Sequence, residues 1–96
     1  MDKQVTWALR EVQKAFNSLN AKVYLFGSRA NKTHNRFSDI DIAVEAINPI
    51  PLAQLAALRE FFEESHLLCK VDLIDLNSVD NQLRDKVLTE GVLWKG

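Results

Sequence analysis

Two apolar runs flank a polar gap near the middle of this chain, and each carries at the gap the residue types that buried strands usually exclude. Val23-Tyr24-Leu25-Phe26 ends on Gly27-Ser28. The second run opens as Asp39-Ile40-Asp41 and continues Ile42-Ala43-Val44-Glu45-Ala46. Read with period two, Asp39, Asp41, Ala43 and Glu45 share one face, and Ile40, Ile42, Val44 and Ala46 share the other. A strand of that kind must cover its apolar face with another element, yet it keeps two carboxylates on the opposite face, roughly 6–7 Å apart at the α-carbons. The fold must therefore supply a sheet and something to offset two like charges at its end.

The rest of the chain supplies covering elements. Val5, Leu9, Val12, Phe16 and Leu19 recur in steps of four and three, so residues from about 3 to 19 form an amphipathic helix. Residues 22–26 read as a short strand, since Val, Tyr and Phe favour that state. Gly27 stops it, and Ser28 is a candidate cap for a short turn through Ala30. Residues 31–37 form a polar loop, and 39–46 the second strand. Asn48-Pro49-Ile50-Pro51 breaks the chain, and Pro51 suits the first turn of a helix reaching about Ser65, with Leu52, Leu55, Ala56, Leu58 and Phe62 inward. Residues 70–76 make a third strand: Asp72, Ile74 and Leu76 on one face, Val71, Leu73 and Asp75 on the other. Asn77 or Ser78 caps a last helix that runs through Glu90 to Gly91. Val92-Leu93-Trp94 adds an edge strand or a packed tail. This order indicates an α/β (or α+β) domain with a small mixed sheet flanked by helices, one unit over 1–96.

Composition bears on what this fold can act upon. A net charge of −1 argues against bulk, sequence-independent nucleic-acid binding. One cysteine, Cys69, permits no intrachain disulfide and agrees with a reducing cytoplasm. No apolar run approaches the roughly 20 residues of a membrane span, and the first residues lack a signal-peptide pattern. No internal repeat or low-complexity segment is present.

Asp39 and Asp41 can share a divalent ion, and hard oxygen ligands select Mg²⁺, or Mn²⁺, over zinc. Asp72 is the candidate third carboxylate, because its short strand can lie beside the second. Asp75 is its rival, on the opposite face. Gly27 lets backbone approach a phosphate closely, Ser28 adds a hydroxyl donor, and Arg29, Lys32 or Arg36 can neutralise phosphate charge. The pattern suits a nucleoside triphosphate held between a Gly-Ser turn and a carboxylate–metal pair. His34 and His66 have no metal-site spacing and read as surface residues. Cys69 reads as a buried or edge thiol, Glu45 as a solvated neighbour of the aspartates, and Trp7, Phe61, Phe62 and Trp94 as core or partner-facing.

Gly27-Ser28, ten intervening residues and then Asp39-Ile40-Asp41 resembles the GS-x10-DxD signature of the DNA polymerase β-like nucleotidyltransferase superfamily. Gly-Ser-Arg-Ala followed by Ser-Asp-Ile-Asp-Ile-Ala-Val is similar to its minimal nucleotidyltransferase (MNT) branch, as is Val71-Asp72-Leu73-Ile74-Asp75. The resemblance implies a nucleotidyltransferase fold and an enzyme transferring NMP from an NTP, usually ATP, with Mg²⁺, two ions as a rule. It implies Ser28 at the phosphates, Asp39 and Asp41 on the metals, and Asp72 activating the acceptor hydroxyl. It further implies a helical HEPN toxin as partner, with a tyrosine of that toxin adenylylated and the MNT protein acting as antitoxin. Where the branch often has a second glycine, this chain has Lys32. So short a chain leaves little to build an acceptor site, so acceptor recognition is expected from a second subunit in a homo- or hetero-oligomer. A small-molecule nucleotidyltransferase subunit and an antitoxin that acts by binding alone are the alternatives.

Overall fold

The computed structural model describes residues 2–96. Helix α1 (Lys3–Phe16) is the amphipathic helix that the spacing predicts, with Val5, Leu9, Val12 and Phe16 buried along one side. Asp2 caps it: Oδ1 accepts hydrogen bonds from the N–H groups of Gln4 (2.6 Å) and Val5 (3.4 Å), which the first turn leaves without helical partners. The expected continuation to residue 19 is a tighter 3-10 turn, Asn17–Leu19, closed by Asn20 in the left-handed region at φ 51°. Asparagine tolerates that conformation better than most residues.

Strands β1 (Lys22–Phe26), β2 (Ile40–Glu45), β3 (Val71–Asp75) and β4 (Val92–Leu93) form one sheet in the order β3-β2-β1-β4. β2 runs antiparallel to β1 and parallel to β3, and β4 pairs antiparallel with β1. A parallel neighbour needs a crossover, and helix α2 (Leu52–Glu63) provides it. The sheet is therefore mixed. Helices α1 and α2 pack on one face, burying Val23, Leu25, Ile40, Ile42, Val44 and Leu73 with Leu9, Phe16, Leu55 and Phe62. Helix α3 (Asn81–Glu90) packs on the other through Val87, against Ala43 and Leu76 and partly buried Tyr24, Phe26 and Ile74. The period-two faces read from the sequence are the faces that pack.

Three local expectations differ. Leu52 is 79% exposed and Ala56 is also exposed, so only Leu55, Leu58 and Phe62 carry the inward stripe of α2. Pro51 is the cap residue just before α2, not part of its first turn. Helix α3 is capped by Asp80, whose Oδ1 accepts from Leu83 N–H at 2.8 Å. Asn77 and Ser78 are instead held in the preceding turn by Asp75. Its carboxylate accepts from the N–H groups of Ile50 (2.8 Å) and Asn77 (2.9 Å) and from the Ser78 hydroxyl (3.4 Å). At 3% exposure and with those donors, Asp75 is a buried turn anchor and no rival to Asp72. Among the described residues no helix is long and apolar enough to cross a membrane.

Candidate functional site

The sheet brings the carboxylates together. Asp41 lies opposite Asp72 in the parallel β2–β3 register and opposite Phe26 in the antiparallel β1–β2 register. The residue after Phe26 is Gly27, at φ 73°, a conformation that costs side-chain-bearing residues energy. A Cβ at Gly27 would collide with Asp41 Oδ2. Glycine is therefore required twice over, for its backbone angle and for the carboxylate resting on it. Gly27–Arg29 then form a 3-10 turn with Arg29 and Ser28 just beyond the carboxylate.

Charge accumulates here. The Asp41 carboxyl is pushed up to about 6, first by burial and then by the negative charges of Asp72 and Asp39. A cation would relieve that repulsion, and all three candidate ligands present oxygen, which suits Mg²⁺. The described residues contain no ready-made cage of three or more side-chain ligands. An open set of carboxylates completed by substrate phosphate oxygens and water, the set Mg²⁺ prefers, fits this arrangement better than a closed protein cage does.

Beside the turn lies a cavity of about 250 Å³. Phe26, Leu83 and Val87 give it an apolar floor, and Ser28, Lys86 and Glu90 are among its polar lining. One wall is α3, which a polar brace fixes to the sheet. Arg84 Nη2 pairs with Glu45 Oε2 at 2.9 Å, and Arg84 Nη1 donates to the Leu76 carbonyl at 3.0 Å. Tyr24 donates its hydroxyl to Glu45 Oε1 at 3.3 Å, and burial followed by the Glu45 charge raises the Tyr24 pKa. Glu45 is thus a braced ion-pair partner, not a solvated neighbour of the aspartates. Lys86 is not singled out by the cap and stop residues that mark α3 in the sequence. The signal was its place beside Leu83 and Val87 on the same helical turn.

The loop cations fall elsewhere. Arg29, only 7% exposed, points into the protein. Its Nε and Nη2 each donate to the Ser38 carbonyl at 3.1 Å, Nη2 also reaches the Arg36 carbonyl (3.4 Å) and Cys69 Sγ (3.2 Å), and Nη1 lies 4.0 Å from Asp2 Oδ2. The expectation of Arg29 at the phosphates is therefore corrected: its donors are committed to closing the loop of residues 31–38. Lys32 sits in the left-handed region at φ 63°, the backbone state in which a glycine is at ease. It lines a separate cavity with Asp2, Arg29 and His34, not the one at Ser28. Arg36 lies over the Phe37 ring, 5.0 Å from its centre. Cys69 is buried and unpaired. His66 and Trp7 are in aromatic contact at 5.6 Å, with Phe61 stacked on Trp7. Trp94 packs against the α1 side of the core and donates Nε1–H to Gln13.

A short mixed sheet, a Gly-Ser turn on its second strand's carboxylate and a third carboxylate in register define a nucleotidyltransferase class of fold. The family model described as polymerase beta, nucleotidyltransferase matches residues 11–95, and the chain belongs to that family. A Shewanella oneidensis relative named protein adenylyltransferase MntA is 42% identical over 73 residues, covering 75% of this chain and 52% of that protein. This chain thus spans about half the length of that relative. Among solved structures, a toxin–antitoxin complex with AMP-PNP superimposes with a TM-score of 0.71 at 33% identity, over 91% of this chain and 73% of that one. A complex of tri-AMPylated Shewanella oneidensis HEPN toxin with its MNT antitoxin gives a TM-score of 0.66 at 28% identity, over 96% and 73%.

Proposed function

We propose that this protein transfers AMP from ATP to a hydroxyl of a partner protein, a tyrosine of a helical HEPN toxin, and that this transfer is how it acts as an antitoxin. The observation that carries the reading is the register: Asp41 beside Asp72, with Asp41 resting on Gly27. The named activity of the relatives and the AMPylated toxin in the similar complex support it.

In this reading the nucleoside lies over Phe26, Leu83 and Val87, and the phosphates meet the Ser28 hydroxyl, the turn's backbone and Lys86. Asp39, Asp41 and Asp72 would hold Mg²⁺, or Mn²⁺, which when bound supplies charge neutralisation at the α-phosphate and the leaving oxygen. The acceptor oxygen forms a bond to the α-phosphorus. The bond from that phosphorus to the bridging oxygen breaks, and pyrophosphate leaves with the electron pair. Asp72, the most exposed strand carboxylate, takes the acceptor proton. The proposed setting is the cytoplasm.

The test mixes the purified protein with the protein encoded beside it, Mg²⁺ and ATP, and reads intact masses. The partner gains mass in whole AMP units, and EDTA or Asp41→Asn abolishes the gain while the two proteins still bind each other. Stable binding with no added mass would overturn the reading in favour of an antitoxin that acts by binding alone.

A further inference from the structure

Two cavities flank the carboxylates. One lies beside Ser28, past the end of β1. The other, about 510 Å³, lies on the far side along β3, and Arg59, Glu63, Leu68, Lys70, Val71 and Asp72 line it. β3 is an outer strand of the sheet. Ile40 N–H donates to the Lys70 carbonyl at 2.8 Å, and Leu76 N–H donates to the Val44 carbonyl at 2.9 Å. Alternation along the strand then turns the backbone groups of Lys70, Asp72, Ile74 and Leu76 toward β2, and those of Val71, Leu73 and Asp75 toward the open edge. Arg59 Nη2 takes the Leu73 carbonyl at 2.7 Å. Among the described residues no hydrogen bond caps the N–H or carbonyl of Val71.

We propose that this groove receives the acceptor as an extended segment of the partner polypeptide, which pairs with the free backbone groups of Val71 and presents its hydroxyl at Asp72. The inference rests on the nucleotidyl-transfer reading and adds the route of the second substrate. In-line displacement requires the attacking oxygen to approach opposite the leaving pyrophosphate. With phosphates at the Ser28 end of β1, the attack comes across β2 from the β3 side. Three adjacent strands separate those two points by about 10 Å, enough for the reacting phosphate between them. Pairing at Val71 also sets the register, because a side chain next along the incoming segment falls on the Asp72 face. Arg59 takes the Leu73 carbonyl, so a segment that pairs past Val71 loses that acceptor, which favours a short acceptor tail and disfavours pairing with another copy.

The test uses the full chain, Mg²⁺, α-³²P-labelled ATP and a probe: an end-blocked five-residue peptide with a central tyrosine flanked by threonine and valine, at millimolar concentration. Val71→Pro removes the outward N–H at the first residue of an edge strand, where proline is tolerated. Label on the peptide is expected to fall about tenfold, as for one lost hydrogen bond, with Mg·ATP affinity unchanged. Arg59→Met frees the Leu73 carbonyl and is expected to lower the peptide KM by a factor of about three to ten. A folded Val71→Pro that labels like the wild type, or no peptide labelling by wild type that binds Mg·ATP, overturns the groove and leaves the nucleotide site standing. If Val71→Pro does not fold, Arg59→Met decides, and an unchanged KM overturns the proposal. Failure of the wild type to bind Mg·ATP removes the nucleotidyl-transfer reading itself.

Discussion

Asp41 carries the electrostatic strain of the site, and its burden has a sign. Its folded carboxyl titrates near 6, above the 3.8 of the unfolded chain. The ionised folded state is therefore penalised above about pH 6. The penalty fades as pH falls through 6 toward 3.8, where the native state holds the proton and the unfolded chain does not. The metal-free protein should gain stability between pH 7 and 5, by on the order of 1 kcal/mol after solvent screening, before other carboxylates reverse the trend. Asp41→Asn should flatten that slope. Urea unfolding of both proteins at the two pH values decides it, and equal slopes would remove the convergent-charge explanation. Arg29 makes the opposite kind of contribution. Arg29→Met leaves the Ser38 and Arg36 carbonyls without their donor and should cost about 2–3 kcal/mol. Lys32→Gly relieves a left-handed backbone and should add roughly 0.5–1 kcal/mol, read as a higher urea midpoint. The sequence could place Arg29 in the loop but not inside the protein. Its partners are backbone carbonyls and a thiol distant in the chain, and nothing in residue type announces them.

At the level of elements, α3 is the least anchored. One residue of it, Val87, is fully buried, whereas α1 buries Val5, Ala8, Leu9, Val12 and Phe16. What ties α3 down is the Arg84–Glu45–Tyr24 brace. Amide hydrogen exchange should therefore be faster in α3 than in α1, and Arg84→Ala should accelerate it further in α3 while leaving α1 unchanged. Uniform acceleration across the chain would mean that the brace stabilises the whole fold and not one element. Strands were legible because alternation of Ile40, Ile42 and Val44 with Asp41 and Ala43 admits only one facing. Helix faces were less so. α2 is apolar around much of its circumference, so Leu52 and Ala56 fit an inward stripe by spacing yet lie outward. Three capping residue types stand before α3, and the choice of Asp80 follows from Asp75 having claimed the turn that holds Asn77 and Ser78.

For the whole molecule, the sheet and the meeting of Asp41 with Asp72 could be read from motif spacing, because a short third strand beside the second has few other places to go. The β3-edge groove and the Ser28 cavity could not, since both are shapes made by helices closing over strands. The strand order has a further consequence on the ribosome. β1 and β2 are neighbours in sequence and pair as a hairpin-like unit, while both outer strands, β3 and β4, are made after them. Non-local pairs form slowly, so a nascent chain that has released residues only through β2 already bears Asp39, Asp41 and the Gly-Ser turn. It still lacks Asp72, the carboxylate in register with Asp41 and the proposed base for the acceptor. Translation thus delays a complete centre until α2 has emerged and β3 has docked, and a half-made molecule can hold two charges without yet meeting the third.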